Sequence, residues 1–559
     1  MPKVIVTMPA YNAARTLERT LLDLPAQIAD EIILVDDASP DETASLAREL
    51  GIRVFVHPTN RGYGGNQKTC YREAIREGAD IVVMLHPDYQ YDPKAVPLLI
   101  APILAGDADM TFGSRFAGLG DPLAGGMPMY RYLGNRLTTT VENLLLGSRF
   151  TDMHSGMRAY SRRCLLSLPF LTYSDDFAFD TELLVDAVTS DQRVVEVPIP
   201  TRYTKESSSI SVSRSLRYVS ASVAYTARTV MQRGRRGRAW PPNRRRRPRP
   251  LLKSIGEGPS RACVLCGNDR QDLVYPATAE GSVPISEFAC TTDALGQHDD
   301  IIQCSQCGLL SAAPPSLTDR ELLQGYEDVV DEQYLAEEEE RRRVFSWFLD
   351  AMSGHYIRGD RLMEVGSNAG LFLHQAASFG WKAWGLEPSR WAVETGRARY
   401  GVDLTQGNIE DIEFRDEQAD AIVMLDVLEH LSDPVKALDR LRPRLNEDGI
   451  LVLSTVNVRS LHGRLRGASW PWFIRSHLYY FSPETLVEML RATGFQVVHW
   501  ATVPRAFHLS YLAARGGEHL GVLGKAMEST SKIVDPKVPV GWLGDIALVV
   551  ARGARPPRG

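Results

Sequence analysis

The sequence predicts an α/β fold in two Rossmann-like halves, each built on a mostly parallel sheet. Short β-branched runs alternate with amphipathic helical runs at the start of the chain and again in its second half. Such alternation is typical of parallel strands joined by crossover helices. Between the halves, the stretch GRRGRAWPPNRRRRPRP (Gly234 to Pro250) lacks the apolar residues that a packed element needs. We therefore expect two domains with separate cores, joined by an extended linker.

Length and composition limit what the chain can be. Its 559 residues exceed what one hydrophobic core usually supports. Hydrophobic residues make up 44% and charged residues 24%, as in ordinary globular proteins, and the net charge of -6 gives no general attraction to nucleic acid. The longest apolar run, Val96 to Gly106, is shorter than the roughly 20 residues of a membrane-spanning helix. No secretory signal precedes the first strand pattern, so we expect a cytoplasmic protein without a nucleic-acid partner.

The first half reads as strands and helices in strict alternation. The predicted strands are KVIVTMP, EIILVDD, RVFVHP, DIVVML and DMTFGS, and the predicted helices are ARTLERTLLDLP, DETASLAREL and GGNQKTCYREAIREG. Ligands of such sheets bind at the carboxyl ends of the strands. Those ends carry Asp36 and Asp37 after the second strand, and His86 and Asp88 after the fourth. We expect these side chains to share one edge of the sheet.

The acids at that edge suit a nucleotide. Asp36 and Asp37 can accept hydrogen bonds from a nucleobase and a ribose, although the same residues would also form a turn that caps a helix. Asp88 and Gln90 offer oxygen ligands to a divalent cation that bridges a diphosphate. A cation there neutralises the charge of a leaving nucleotide, which is the main requirement of sugar transfer from a nucleotide sugar.

Over residues 3 to 210 the chain resembles family 2 glycosyltransferases with the GT-A fold, within the dolichyl-phosphate mannose synthase-like group. The resemblance rests on MPAYNAARTL, VDDASPDET, NRGYGGNQ, HPDYQYDP, GSRF, TDMHSGMRAY, FAFDTELL and VPIPTRYTKESS. It implies a nucleoside held by Pro9, Tyr11, Val35 and Asp37, Mg²⁺ or Mn²⁺ held by Asp88 and Gln90, and phosphates met by Arg115, Arg202 and Lys205. The chain departs from the family at Ala13 and at His86, which replaces the usual first acid of the metal pair and suits Mn²⁺ better than Mg²⁺.

Two kinds of acceptor remain open. A lipid phosphate is already an anion and needs cationic partners, for which the candidates are Arg115, Arg131, Arg136, Arg158 and Arg202. A hydroxyl acceptor needs a carboxylate as general base, for which the candidates are Asp175, Asp176 and Asp180. The likeness of SGMRAY to the corresponding motif of the group favours the phosphate, whereas the lack of membrane helices disfavours it.

A helix over residues 213 to 232 and the basic linker follow the first half. The helix has apolar residues on one side and arginines at both ends. We expect it to pack on the catalytic domain; the alternative is a helix that lies on a membrane surface. The linker is expected to be solvated and extended, with contact to anionic lipid as the alternative.

Four of the seven cysteines form two CxxC pairs, Cys263 with Cys266 and Cys304 with Cys307. Four thiolates at this spacing satisfy a tetrahedral zinc ion, and a site with all four positions filled is structural. We therefore predict a zinc ion without a role in chemistry. The other three cysteines are predicted to be buried or incidental thiols.

The second half begins its β/α alternation with RLMEVGS and continues with KAWGLEP, DAIVMLDV, GILVLSTV, QVVHWATV and DIALVVAR. The turn MEVGSNAG (Met363 to Gly370) leads from a strand into a helix, and Gly366 and Gly370 let a ligand approach the backbone closely. Glu387, at the end of the next strand, can accept hydrogen bonds from both hydroxyls of a ribose. A dehydrogenase is the alternative interpretation of this glycine turn.

Over residues 340 to 553 this order, with DVLEHL and HLYYFSPETL, is similar to class I S-adenosylmethionine-dependent methyltransferases. With the cysteine segment it resembles the zinc-bearing branch that contains sugar C-methyltransferases. The resemblance implies that S-adenosylmethionine is held by Glu364, Gly366, Ser367, Asn368, Gly370, Glu387 and Asp426. It places His477 at the position of the general base, with His430 as second candidate. The Glu that often precedes this His is Ser476 here, which leaves carbon and oxygen methylation both open.

Together these features predict a bifunctional enzyme: a glycosyltransferase domain (1–212), a helix and linker (213–259), a zinc-binding segment (260–325) and a methyltransferase domain (326–559). Its partners would be a nucleotide-sugar donor, a sugar, lipid-phosphate or metabolite acceptor, and the inner face of a membrane as a peripheral contact. Two alternatives stand beside it. One is a scaffold or binding protein with a single active domain, and the other is a polyprenyl-phosphate glycosyltransferase that carries an unrelated methyltransferase.

Overall fold

A computed structural model describes residues 2–118, 122–123, 126–190, 192–200, 212–236, 248–279, 281–292, 294–313, 317–409, 417–503, 506–508, 537–539 and 544–553. Arg202, Lys205 and most of the arginine-rich stretch lie outside these residues. The chain divides into one unit of Met1–Asn243 with Ser353–Tyr356, and a second of Arg244–Met352 with Ile357–Gly559. The division falls within the arginine-rich stretch, so the segment 213–259 is shared between the two units.

The first unit has a sheet covered by helices. Its strands are β1 (Val4–Ala10), β2 (Glu31–Asp36), β3 (Arg53–Val56), β4 (Ile81–Met84), β5 (Met110–Ser114), β6 (Arg158–Ser161) and β7 (Val194–Pro198). Its helices are α1 (Leu17–Leu22), α2 (Thr43–Glu49), α3 (Gly62–Arg76), α4 (Val96–Leu104), α5 (Met129–Leu146), α6 (Arg162–Ser167), α7 (Ala178–Thr189) and α8 (Val212–Arg236).

The strand order of this sheet is β3-β2-β1-β4-β6-β5-β7. Strands β1 to β4 are parallel, and β6 runs antiparallel between β4 and β5. All five predicted strands are present, and β1 is buried along its whole length because helices cover both faces of the sheet. Strand β6 was not predicted, since four residues that begin with an arginine give no alternating pattern.

Helix α8 contacts α5 and α7, as expected for a helix that packs on the first domain and not on a membrane surface. The Tyr218 hydroxyl forms hydrogen bonds with Nδ1 of His154 (2.7 Å) and with the Thr181 hydroxyl (3.2 Å). The buried Ser222 hydroxyl donates to the same threonine oxygen at 3.1 Å. These contacts attach the helix to the first unit. Within the described part of the chain, each helix is too short or too polar to cross a membrane.

The second unit contains two principal sheets. Its strands are β8 (Gly256–Glu257), β9 (Gln271–Tyr275), β10 (Ile301–Cys304), β11 (Leu310–Ala312), β12 (Arg361–Val365), β13 (Lys382–Glu387), β14 (Asp403–Gln406), β15 (Ala419–Leu425), β16 (Leu445–Val456), β17 (Tyr479–Tyr480), β18 (Phe495–Thr502), β19 (Ala506–His508), β20 (Lys537–Pro539) and β21 (Ile546–Gly553). Its helices are α9 (Asp319–Asp328), α10 (Glu332–Ala336), α11 (Glu338–Ser353), α12 (Leu371–Ser378), α13 (Arg390–Tyr400), α14 (Pro434–Leu441), α15 (Leu461–Arg466) and α16 (Pro483–Ala492).

The larger sheet has the order β14-β13-β12-β15-β16-β21-β18. Strand β21 runs antiparallel to both β16 and β18, and the remaining neighbours are parallel. The six predicted strands are all present, including the antiparallel pair at the end. The parallel strands place the turn after β12, the end of β13 and the end of β15 at one edge of the sheet.

The smaller sheet has the order β17-β11-β10-β9-β8 and is antiparallel. Leu310 pairs with Tyr480 and Ser311 with Tyr479, so the cysteine-bearing segment shares a sheet with residues that directly follow His477. The zinc-binding segment and the methyltransferase segment, which the sequence separates at 325/326, are thus joined by backbone hydrogen bonds.

Candidate functional sites

Asp37 organises the carboxyl edge of the first sheet. Its Oδ1 lies 2.7 Å from Nδ1 of His57 and accepts a hydrogen bond from the amide of Arg61, while Oδ2 accepts one from the amide of Gly62 at 3.0 Å. The carboxylate therefore anchors the start of α3. His57 follows β3 as an isolated histidine, and no local sequence pattern connects it with Asp37.

The neighbouring acid has spare acceptor capacity. Asp36 accepts a hydrogen bond from the Ser39 amide through Oδ2, whereas its buried Oδ1 has no partner among the described residues. Of the residues predicted to hold a nucleoside, Tyr11 has 55% of its surface exposed beside this edge, Pro9 is buried in β1, and the Val35 carbonyl accepts from Asn66.

His86, which replaces the usual acid, belongs to a buried hydrogen-bond chain. The Tyr63 hydroxyl donates to Oδ2 of Asp180 at 2.6 Å and lies 3.1 Å from Nε2 of His86. Because the hydroxyl hydrogen is directed at the carboxylate, Nε2 of His86 must donate to the tyrosine oxygen. The two rings also stack, with centroids 5.5 Å apart. Nε2 is therefore engaged in this chain and leaves only Nδ1 for a metal ion.

Asp180 and Arg158 continue the same chain. Gln67 donates to Oδ1 of Asp180 at 3.3 Å, and the fully buried guanidinium of Arg158 donates to the backbone carbonyls of Ser155 and Asp180. Arg158 is thus a structural cation, and Asp180 already accepts from two side chains. The other two candidate bases differ: Asp175 forms an ion pair with Lys68 at 2.7 Å, and Asp176 is exposed.

The loop after β4 carries the predicted cation ligands. Oδ1 of Asp88 accepts a hydrogen bond from the amide of Gln90 at 3.0 Å, and Tyr89 between them has a φ of 58°. This turn places the Asp88 carboxylate and the Gln90 side chain on neighbouring positions of a tight loop. Carboxylate and amide oxygens are the ligands that Mg²⁺ and Mn²⁺ prefer, so the donor set fits either ion.

Arg115, at the end of β5, is held in place by a buried acid. Its Nε and Nη2 donate to the two oxygens of Asp152 at 2.6 and 2.8 Å. Burial opposes ionisation of Asp152, but the guanidinium of Arg115 outweighs it and holds the pKa of that carboxyl below its usual value. Sequence reasoning did not identify Asp152 as the partner, because it lies 37 residues away on another segment.

The four paired cysteines come together in the second unit. Sγ of Cys263 lies 3.6 Å from that of Cys307, and Sγ of Cys266 lies 3.6 Å from that of Cys304. All four sulfurs are within 4.8 Å of one another. A zinc ion with four bonds of about 2.3 Å requires sulfurs about 3.8 Å apart, so the geometry fits the predicted ion.

A cavity of about 1860 Å³ opens at the carboxyl edge of the larger sheet and contains every residue predicted to hold S-adenosylmethionine except Gly370. Gly366 (φ 74°) and Gly370 (φ 72°) adopt left-handed conformations that other residues rarely accept. A Cβ on Gly366 would lie 2.4 Å from a Val427 methyl carbon, so the turn also requires glycine for space. The glycine turn therefore forms one wall of the cavity for the reason the sequence predicts.

Carboxylates line the same wall. Oε2 of Glu387 accepts from the Asn368 amide at 2.7 Å, and Oε1 accepts from the Ser389 amide at 2.8 Å. Burial nevertheless raises the pKa of Glu387 to about 7. Burial also raises the pKa of Glu364 well above its usual value, and its Oε2 has no partner among the described residues. The Asp426 carboxylate accepts from the Ser454 hydroxyl at 2.7 Å. Glu364 and Glu387 are thus two buried acids at this wall, and one oxygen of Glu364 is left to pair with a ligand.

The two candidate histidines line the cavity together. The rings of His430 and His477 are 4.6 Å apart, and burial lowers the pKa of both, that of His430 to about 4. Both are therefore neutral at pH 7. Glu429 lies beside them and is completely buried, although the sequence interpretation considered only its neighbour His430. The missing acid before His477 thus has a counterpart that comes from another segment.

Comparison with protein families assigns both units. Residues 5–167 match the family described as "Glycosyl transferase family 2", and residues 337–500 match "Methyltransferase domain". The methyltransferase match implies S-adenosylmethionine as the methyl donor. The first match covers the carboxyl ends of β1, β2 and β4, and the second covers those of β12, β13 and β15.

Individual relatives match the first unit. "Uncharacterized protein MJ1222" of Methanocaldococcus jannaschii is 31% identical over 207 residues, which are 37% of this chain and 84% of the relative. "Polyprenol monophosphomannose synthase" of Mycolicibacterium smegmatis is 30% identical over 205 residues, 35% of this chain and 76% of the relative. A structure of glucosyl-3-phosphoglycerate synthase from Mycobacterium tuberculosis with uridine diphosphate is 21% identical in sequence, with a TM-score of 0.33. The superposed region is 40% of this chain and 80% of the synthase chain.

The parallel sheet with its acidic edge and the glycine turn of the second unit agree with the two family matches. The chain belongs to the family 2 glycosyltransferases and carries a methyltransferase domain, which makes it a bifunctional glycosyl- and methyltransferase.

Proposed function

We propose that the first unit transfers a sugar from a nucleotide sugar to a lipid phosphate, and that the second unit methylates a sugar or a glycosylated product. The observation that carries the first part is the pairing of an acidic nucleotide edge with an exposed apolar helix that bears arginines. The second part rests on the two buried acids of the methyltransferase cavity, Glu364 and Glu387, of which Glu364 has one oxygen without a partner among the described residues.

The donor would lie across the ends of β1, β2 and β4. The unmatched oxygen of Asp36 would face the nucleoside, with Pro9, Tyr11, Val35 and the anchored Asp37 around it. Asp88 and Gln90 would hold Mg²⁺ or Mn²⁺ against the diphosphate, where the ion neutralises the charge of the leaving nucleotide. The proposed phosphate contacts are Arg115, Arg202 and Lys205, of which the last two lie outside the described residues.

Helix α5 supports a lipid acceptor. Met129, Tyr130, Leu133 and Leu137 on its first turns are all more than half exposed. Arg131 and Arg136 lie among them, and the Arg136 guanidinium is 5.7 Å from the centre of the Phe116 ring, next to Arg115 at the end of β5. An apolar stripe with interspersed cations suits an isoprenoid chain and its phosphate at a membrane surface. In addition, Asp180 is already engaged by Tyr63 and Gln67, which disfavours it as the base for a hydroxyl acceptor.

The full chain, incubated with radiolabelled UDP- and GDP-sugars, Mn²⁺ and polyprenyl phosphate, should transfer label to the organic phase. Free hexoses and glycosides serve as competing hydroxyl acceptors in parallel reactions. Label in the glycosides and none in the lipid would contradict the lipid-phosphate acceptor and restore the hydroxyl alternative.

Charging the α5 stripe should weaken the use of lipid. Each leucine that inserts into a membrane contributes about 1.5 kcal/mol or more, so the double variant Leu133→Glu, Leu137→Glu should bind anionic vesicles roughly 100-fold more weakly. Vesicle sedimentation measures the binding, and kcat with a short, soluble isoprenoid phosphate should stay unchanged. The matched control is the double variant Leu22→Glu, Leu104→Glu. These two leucines are 79% and 50% exposed and lie elsewhere on the first unit. Equal binding of the two double variants would exclude α5 as the contact.

In the second unit, Glu387 would accept hydrogen bonds from the ribose hydroxyls of S-adenosylmethionine, while Gly366, Ser367, Asn368 and Gly370 would leave room for the donor. Glu364 and Asp426 complete the proposed set of donor contacts. S-adenosylmethionine supplies a methyl group on a sulfonium centre, and the protein must align the acceptor with that carbon. His430 and His477 line the same cavity and are the proposed catalytic groups.

Binding of S-adenosylmethionine should weaken at low pH. Because the pKa of Glu387 is about 7, its protonated fraction grows as the pH falls below 7, and a protonated carboxyl accepts ribose hydroxyls poorly. If binding requires the carboxylate, Kd should rise about tenfold from pH 8 to pH 6. Isothermal titration calorimetry of the parent and of Glu387→Gln tests this, since the variant should bind more weakly but with a flatter pH profile. If Kd depends on pH in the same way for the parent and for Glu387→Gln, Glu387 does not contact the bound donor.

A further inference from the structure

Glu429, His430 and His477 form a cluster of potential metal ligands in the methyltransferase cavity. One ligand atom from each lies within 4.8 Å of the other two. All three residues line the same cavity as Glu387 and Asp426. The cluster is separate from the four cysteines, whose sulfurs form their own group.

The hydrogen bonds of the two imidazoles indicate which nitrogen of each ring is available as a metal ligand. Nδ1 of His477 lies 2.9 Å from the Trp472 carbonyl, and Nδ1 of His430 lies 2.9 Å from the Ser476 carbonyl. A carbonyl oxygen can only accept, so each Nδ1 carries the hydrogen and each Nε2 keeps its lone pair. A backbone carbonyl that fixes the tautomer in this way is the usual support of a metal-binding histidine.

Glu429 brings an unpaired acidic side chain to the cluster. Its side chain is completely buried, and neither oxygen has a hydrogen-bond partner among the described residues. Thr455 and Val456 lie close to it without completing a hydrogen bond of normal geometry. Ligand atoms of two imidazoles and of an unsatisfied carboxyl group therefore lie close together, and a buried polar group left without a partner is costly.

We propose that Glu429, His430 and His477 bind a divalent transition-metal ion, with Zn²⁺ as the best match. Two imidazoles and one carboxylate are a ligand set that suits Zn²⁺, and three protein ligands leave a coordination position open to the cavity. The Tyr326 hydroxyl, 2.6 Å from Nδ1 of His430, would help to hold that ring in place. In this arrangement the two histidines act as ligands and not as proton acceptors.

The role of the ion rests on the proposed methyl transfer. A hydroxyl of the acceptor would occupy the open position, and the ion would lower the pKa of that hydroxyl so that its proton passes to solvent. The resulting oxygen anion forms a bond to the methyl carbon while the carbon–sulfur bond breaks and its electron pair stays on sulfur. The products are a methyl ether, S-adenosylhomocysteine and one proton.

Zinc content per chain tests the site without an activity assay. Full-length chains are equilibrated with Zn²⁺, freed of excess ion by gel filtration and analysed by mass spectrometry of the metal, all in the Asp88→Asn background to remove the cation site of the first unit. We expect two ions in this parent and one in Glu429→Gln or His477→Gln. The matched control His374→Gln, on α12, should keep two.

Binding of S-adenosylmethionine to each variant shows that the second unit is folded. Two ions in a Glu429→Gln chain that still binds the donor would overturn the proposal and indicate that Glu429 is a protonated carboxyl. If Glu429→Gln does not fold, the zinc content of the parent tests the proposal instead. A parent that holds a single ion, which is lost in Cys304→Ser, would also overturn the proposal, because the four cysteines would then account for all the zinc. If the parent chain holds two ions but transfers no methyl group, the metal site stands and the proposed methyl transfer is contradicted.

Discussion

Replacing Asp88 with asparagine should reduce sugar transfer by about 10³-fold. The change keeps the shape of the side chain but removes the charge that holds the cation against the leaving diphosphate, and about 4 kcal/mol of transition-state stabilisation depends on such an ion. The rate of nucleoside diphosphate release at saturating Mn²⁺ measures the effect. Binding of S-adenosylmethionine should remain as in the parent.

The control for this variant is Asp107→Asn, which removes an exposed acid from the same unit after α4. Its rate should equal that of the parent. If Asp88→Asn kept more than about a tenth of the parent rate, a single carboxylate could not be the main cation ligand, and the loop after β4 would lose its assigned role.

Replacing Cys304 with serine should remove one zinc ion per chain and destabilise the second unit by several kcal/mol. Structural zinc sites contribute on the order of 10 kcal/mol to folding, although buried apolar residues of the smaller sheet, such as Ile301, Leu310 and Tyr480, retain part of its stability. Strand β10 ends at Cys304, and its neighbour β11 pairs with β17 next to His477. Methyl transfer should therefore be lost together with the ion.

Metal analysis and chemical denaturation check this expectation, with Cys290→Ser as control because Cys290 lies outside the cluster of four sulfurs. Sugar transfer by the first unit should persist in both variants. An unchanged zinc content in Cys304→Ser would contradict the four-cysteine site.

The sequence was most informative where local pattern and local structure coincide. The strands that precede Asp37 and Asp88 are continuous β-branched runs, and the turn at Gly366 requires glycine both for its φ and for space. These features predict which residues share a sheet edge, because the carboxyl ends of neighbouring parallel strands lie together. The CxxC pairs are equally local, and their sulfurs meet as predicted.

What the sequence did not reveal depends on contacts between distant segments. The pairing of His57 with Asp37, of Asp152 with Arg115 and of Glu429 with His477 joins residues 20, 37 and 48 positions apart. No periodicity encodes such pairs, since packing of whole elements brings them together. The sequence signal for Glu429 is its position directly before His430.

The central claim is that one chain performs two transfers, each with an activated donor at the carboxyl edge of its own sheet. A double-label experiment tests it most directly: the full chain receives a ³H-labelled nucleotide sugar, polyprenyl phosphate and S-adenosylmethionine with a ¹⁴C-labelled methyl group. We predict that acceptors acquire both labels, that Asp88→Asn loses ³H transfer, and that Glu387→Ala loses ¹⁴C transfer from the same reaction. Folded parent protein that transfers neither label and binds neither donor would contradict the account.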